Sequence, residues 1–204
     1  MAVSSASKAN LIPEPNLAEI DACRRGDRRA LEAVFSRESP MLERQIARLV
    51  GPGADVEDLL QVTLVEAIGA FPRYRGEASV RTWLARIAVH VVHRHLRSPE
   101  RRRQTSLELL ANVADRAPVA DEIADSRRKV ERVYHHLDAI GPMKRIAFIL
   151  HVLEGRSIAE VAALVGASKM ATKSRVFWAR KSLLARARKD PQLVDLLLPM
   201  GALR

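Results

Sequence analysis

Eight cations and no acid occupy residues 169–189: Lys169, Lys173, Arg175, Arg180, Lys181, Arg186, Arg188 and Lys189. One-sign charge at this density suits a polyanion, because each cation that meets a phosphate releases condensed counterions. The residues just upstream set the geometry. Ser157 and Glu160 have the S-x-x-E spacing of a capping box. Ile158, Val161, Ala162 and Val165 supply one apolar face, and Gly166 stops the helix by taking the left-handed conformation cheaply. Ser168 caps a second, longer helix. A short helix, a turn with glycine and a longer helix make a helix-turn-helix. Its second helix enters a major groove by the N-terminal end, so Lys169, Thr172, Lys173 and Arg175 are placed to reach bases. Arg180 and the later cations meet phosphates. Met170, Val176 and Leu183 are inward candidates. Phe177 and Trp178 are adjacent, so only one of them fits the buried stripe.

A second cationic surface lies in the other half. Ser79 caps a helix expected to run to about Arg97, with Leu84, Ile87, Ala88 and Val91 as its apolar stripe. The opposite arc holds Arg86, His90, His93, Arg94 and Arg97, with Trp83 on its shoulder. Trp83 either stacks on a base or packs in the core. Upstream, Asp55, Glu57 and Asp58 open another helix with no compensating cation, either a docking face for a basic protein or a helix start favoured by the macrodipole. No P-loop, G-x-G-x-x-G, H-E-x-x-H or G-x-S-x-G is present, which argues against the common enzyme sites. His90, His93 and His95 do not make a metal site: His95 falls on the apolar side and no nearby carboxylate or thiol completes the set. No cofactor is expected.

The elements that carry these residues are helices. Aromatics are only 4% of the 204 residues, hydrophobic residues 48%, and Ala, Leu, Arg and Glu are abundant. The fold expected is all-α, two small helical domains joined by a linker. Residues 1–16 read as a loose tail, 17–98 as the first domain, 99–126 as the linker, 127–190 as the second domain and 191–204 as a tail. In the first domain Pro40 is read as a break, with a separate helix from Met41 to Val50. A short helix near Leu107–Val113 fits inside the linker. Net charge is +10, and it alternates along the chain: +1 over 1–50, −4 over 51–72, +7 over 73–103, −4 over 104–125 and +10 over 126–204. Two separated basic blocks imply two separate polyanion contacts. One cysteine, Cys23, forms no internal disulfide, and no apolar run is long enough for a membrane span, so a cytoplasmic protein is expected.

The whole pattern resembles a bacterial RNA polymerase sigma factor of the extracytoplasmic-function (ECF) type, in the sigma-70 family. Three stretches carry the resemblance: DVEDLLQVTLVEA (55–67), YRGEASVRTWLARIA (74–88) and LEGRSIAEVAALVGASKMATKSRVFWARKSL (153–183). They are similar to regions 2.2, 2.3–2.4 and 4.2, which makes the first domain region 2 and the second region 4. The resemblance implies that Asp55, Glu57, Asp58, Leu59 and Gln61 bind core polymerase. It implies that Arg75, Arg81, Trp83, Arg86, His90 and Arg94 open and read the −10 promoter element. Ser168, Lys169, Thr172, Lys173, Arg175 and Arg180 then face the −35 duplex. The implied partners are core RNA polymerase, promoter DNA and an anti-sigma factor, with no membrane insertion. The chain departs from the family wording at Val62, at Val89-His90, at Arg94 and at Ala171-Thr172. A stand-alone helix-turn-helix regulator is the other reading, but it has no use for the R-G-E-A-S-x-R-T-W-L stretch.

Overall fold

A computed structural model describes residues 15–98, 122–190 and 193–194, with backbone alone for 122–127. Among the described residues there is no strand. The first domain is built from α1 (Leu17–Arg24), α2 (Arg28–Val50), α3 (Val56–Ala70), a 3₁₀ turn at Phe71–Arg73 and α4 (Val80–Arg97). The second has α5 (Glu122–Asp138), α6 (Pro142–Phe148) with a π extension over Ile149–Leu153, α7 (Ile158–Leu164) and α8 (Lys169–Ala187). The possible helix at 107–113 and most of the tail fall outside the described residues; Leu193 is fully buried.

Side-chain caps begin most of these helices. Asn16, Asp27, Asp55, Ser79, Ser157 and Ser168 each accept a backbone N–H of the first turn. Ser157 and Glu160 form the full reciprocal box, and their hydrogen bonds hold the Glu160 carboxyl below its ordinary range. Gly166, at φ 61°, takes the left-handed turn out of α7.

Pro40 does not break its helix. α2 is continuous for 23 residues with Pro40 inside it. The missing N–H leaves one ladder bond unmade. The Ser39 hydroxyl donates to the Phe35 carbonyl at 2.7 Å, adding a local bond beside the gap. Val34, Phe35 and Glu38 before the proline and Leu42, Gln45 and Ile46 after it are all buried, so packing on both sides holds the axis through the proline. α5 also begins earlier than expected, inside the stretch read as linker.

The cores of the two domains are continuous. Leu42, Ile46 and Leu49 of α2 pack with Leu84, Ala88 and Val92 of α4, and α4 in turn meets α6 and α7 of the second domain. α4 therefore buries more than a narrow stripe: Ala85, Val89 and Leu96 are buried as well. Cys23 lies inside this core, where burial pushes its thiol pKa up. No helix among the described residues is long and apolar enough to cross a membrane.

Candidate nucleic-acid interface

α4 and the loop before it form the first surface. Phe71, Tyr74 and Trp83 make an aromatic cluster with centroids 5.0–5.7 Å apart. The loop is tied down: Arg24 Nε donates to the Tyr74 carbonyl at 2.9 Å, the Arg24 guanidinium sits 5.8 Å from the Tyr74 ring, and the Tyr74 hydroxyl donates to the Ala78 carbonyl. Against this cluster opens a hollow of ≈ 290 Å³, lined by Arg73, Tyr74, Arg75, Trp83 and Arg86 among others. That is near the low end of small-ligand pockets, about 300–1,000 Å³. Half-buried Trp83 packs on Phe71 and also lines the hollow. Arg86 lines it too, and its Nε is buried with no hydrogen-bond partner.

The remaining residues of the first set divide. Arg75, His90 and Arg94 are exposed, Arg94 in an ion pair with Glu66 of α3. Arg81 is committed to the fold. Its guanidinium makes a two-point contact with the fully buried Glu38 carboxylate, Nε to Oε2 at 2.8 Å and Nη2 to Oε1 at 3.2 Å. The expectation that Arg81 meets DNA is replaced by a structural pair joining α4 to α2.

The face of α3 is mixed rather than purely acidic. Asp55, Glu57, Asp58 and Gln61 are exposed as expected, with Asp55 accepting from the Asp58 N–H. Leu59 is turned inward at 8% exposure, so it supports the face without presenting to a partner. Val62, Val65 and Ile68 instead point outward, 41%, 69% and 49% exposed. The sequence reading named Val62 only as a departure from the family wording and gave Val65 and Ile68 no role; their spacing at successive turns beyond Asp58 was the available signal.

The helix-turn-helix forms as expected, with a different face outward. Lys169, Met170, Lys173, Ser174, Phe177 and Trp178 are exposed on α8. Thr172 is fully buried and its hydroxyl donates to the Ser168 carbonyl at 3.0 Å, so it closes the first turn and cannot read a base. Ser168 spends its side chain on the Ala171 N–H. Met170 is 78% exposed rather than inward, and Phe177 and Trp178 are both outside at 59% and 46%. The inward stripe is Thr172, Val176, Ala179, Leu183 and Ala187, which leaves no buried slot for 177 or 178. Lys181 Nζ stands 4.9 Å from the Trp178 ring. Arg175 is half-buried, with Nη1 enclosed and without an acceptor, and its charge is felt by His93 of α4. Arg180 is half-buried and engaged within the protein.

Comparison with known proteins decides what kind of protein carries these surfaces. The family profile described as Sigma-70 region 2 matches residues 34–103, and that of Sigma-70, region 4 matches 137–183. The chain is 35% identical over 173 residues to the ECF RNA polymerase sigma factor SigC of Mycobacterium tuberculosis, covering 81% of this chain and 88% of that one. It belongs to the ECF sigma factors of the sigma-70 family. The ECF RNA polymerase sigma-E factor of Escherichia coli is 26% identical over 172 residues, 80% of this chain and 90% of its own. The solved structure of CnrH in complex with the cytosolic domain of CnrY shares the fold, with a TM-score of 0.56, 23% identity and coverage of 85% of this chain and 97% of that one. The two basic surfaces thus lie one in each sigma domain: region 2 holds the aromatic hollow and region 4 the helix-turn-helix. A stand-alone regulator is not favoured, since both regions match in order. As a sigma factor, the protein directs promoter-specific initiation by RNA polymerase.

Proposed function

We propose how this chain's own residues divide that work. In region 4, Lys169 and Lys173 contact DNA at the open end of α8, with Met170, Ser174 and Phe177 forming the rest of the face that enters the −35 major groove. The later cations hold phosphates. In region 2, Arg75, Arg86, His90 and Arg94 hold the backbone of melted −10 DNA. The hollow beside Trp83 takes an unstacked base. Melting draws on binding alone: an extruded base costs a few kcal/mol in lost stacking, which the pocket offsets.

The α3 face, with Asp55, Glu57, Asp58, Gln61, Val62, Val65 and Ile68, docks on core polymerase. Acids flanking an exposed apolar stripe suit a basic protein surface with apolar contacts. An anti-sigma protein is a further partner. The fold relative CnrH is held by a second protein, and Met170, Phe177, Trp178 and Leu184 give α8 an apolar face that a protein could cover. A chain with these partners works beside polymerase in the cytoplasm.

The observation that carries this reading is the aromatic hollow with an enclosed, unpartnered Arg86 nitrogen, beside a second, separate cationic helix. The test is a transcription assay on linear and pre-melted templates. Trp83→Ala is expected to lose activity mostly on closed duplex and recover on a template melted across the −10 element. Equal loss on both templates refutes the base-capture role.

A further inference from the structure

α1 (Leu17–Arg24) presents none of the DNA- or polymerase-contacting residues named above, yet it is fastened at both ends. Near its start it is held by α2. The Arg37 guanidinium forks onto the Glu19 carboxylate, Nη2 to Oε1 at 2.7 Å and Nη1 to Oε2 at 3.2 Å. Cys23 is fully buried, so the helix is packed as well as tethered. Its last residue reaches the loop beside the hollow. Arg24 Nε donates to the Tyr74 carbonyl at 2.9 Å, and the same guanidinium stands 5.8 Å from the centre of the Tyr74 ring. Arg24 Nη1 turns back to Asp21 Oδ1 at 2.8 Å, one helical turn earlier. One side chain therefore grips Tyr74 by its backbone and by its ring, while an acid on its own helix fixes the guanidinium.

The gripped segment shapes the hollow. Residues 74–79 join the 3₁₀ turn to α4 outside any helix, with Gly76 at φ 76°. A stretch without a helical ladder takes its path from the contacts that fasten it. Tyr74 is a fastening point in three directions. Its N–H donates to the Phe71 carbonyl at 2.9 Å, its hydroxyl to the Ala78 carbonyl, and its own carbonyl accepts from Arg24. The grip on that carbonyl comes from a different helix, itself anchored on α2. Arg73 and Arg75, the residues on either side of Tyr74, both line the hollow. Arg75 is 84% exposed and its ion pair with Glu77 is long, 4.0 Å, so the backbone decides where its charge stands.

We infer that Arg24 is a positioning residue for base capture: from α1 it holds the 74–79 loop in the shape that keeps Arg73 and Arg75 at the hollow beside Trp83. This rests on the capture of an unstacked −10 base proposed above. The physical basis is preorganisation. A loop that samples several shapes weakens apparent binding by the fraction of time it spends in the competent one. The Arg24 and Asp21 side chains are 36% and 54% exposed, so their ion pair adds little to stability. Placement of the loop, rather than melting temperature, is what Arg24 supplies.

The test is open-complex formation by core polymerase carrying the full chain. The template is a promoter recovered with the wild-type chain from a randomised library, used as closed duplex and melted across the −10 element. Arg24→Ala is expected to slow opening of the duplex about tenfold, as for a loop competent one-tenth of the time, and to recover on the melted template. Polymerase affinity, −35 duplex binding and helicity are expected to match wild type. Arg24→Lys keeps the cation but loses the fork, so it is expected to fall between. The deciding readout is the double variant. With Trp83→Ala in place, adding Arg24→Ala is expected to slow opening no further, because both act through one hollow, whereas a merely structural role multiplies the two losses. If Arg24→Ala loses helicity, Arg24→Gln carries the test. Wild-type opening by a folded Arg24→Ala or Arg24→Gln variant, equal loss on both templates, or losses that multiply with Trp83→Ala overturn the positioning role. If Trp83→Ala slows duplex opening and Arg24→Ala does not, base capture stands and the positioning role falls; if Trp83→Ala leaves opening unchanged, both fall.

Discussion

Arg81→Ala separates a fold residue from a DNA contact. Arg81 holds the carboxylate of Glu38, which is fully buried, by two hydrogen bonds across the α2–α4 contact. Removing one partner of a buried pair leaves the other charge enclosed and costs about 3–5 kcal/mol. The Arg81 side chain is 32% exposed, so water can partly reach the vacated site and the lower end applies, about 3 kcal/mol. At about 2–4 °C per kcal/mol for a chain of this size, the melting temperature falls by about 6–12 °C. The assay is thermal unfolding followed by helical circular dichroism, with Arg81→Lys alongside. Lysine keeps the charge but loses the fork, so it is expected to fall between the two. Glu38→Gln with Arg81→Ala is expected to recover part of the loss, because the uncompensated charge is gone. A melting temperature within about 1 °C of wild type, together with lost −10 binding, refutes the structural role and returns Arg81 to the DNA-contacting set.

Four further outcomes follow from the same geometry. Lys173→Ala is expected to weaken duplex binding by about 1–3 kcal/mol without altering stability, whereas Thr172→Val should lower stability with intact Lys173-dependent binding; titrations paired with melts distinguish them. Val65→Asp, on the exposed face of α3, should weaken core-polymerase binding at least about tenfold, while Leu59→Ala should act mainly through stability; unchanged polymerase affinity for Val65→Asp contradicts the docking face. Ser157→Ala removes the capping box and should cost about 1 kcal/mol, read as a urea midpoint shift. Burial, helped by Arg97, His90 and Arg175, lowers the pKa of His93, and burial lowers that of His135 with His136 adding to it. The fold favours the neutral form of both rings, so their contribution is complete above the ordinary imidazole value of about 6.5 and is lost as pH falls through the lowered values. Melting temperature should drop between pH 7.5 and pH 5.5, and less so in His93→Gln; a rise on acidification contradicts this.

Local chemistry explains what could be read from the chain. Asp55, Ser79, Ser157, Gly166 and Ser168 act within a few residues of themselves, so their spacing alone announces the helix ends. The one-sign charge of α8 needed no partner to be visible. Pro40 misled because its local cost is outweighed by packing on both sides. Thr172 and Met170 misled because residue type was taken as direction: a threonine is spent on Ser168, and a methionine lies outside; Leu59 entered the docking set only through the resemblance, and it is turned in. The least legible contacts join distant residues. Arg145 caps carbonyls 95 and 96 residues away, and Arg81 meets Glu38 across 43. No periodicity encodes such pairs.

We propose that this chain lets core polymerase start at promoters with two separated elements, read by α8 and by the hollow at Trp83. Transcription by core polymerase with and without the chain, on a randomised promoter library with the start-proximal products sequenced, tests it directly. Chain-dependent starts are expected to share two motifs, one near −35 lost with Lys173→Ala and one near −10 lost with Trp83→Ala. Starts that do not depend on the chain, or tight duplex binding by a chain that never joins polymerase, would contradict it.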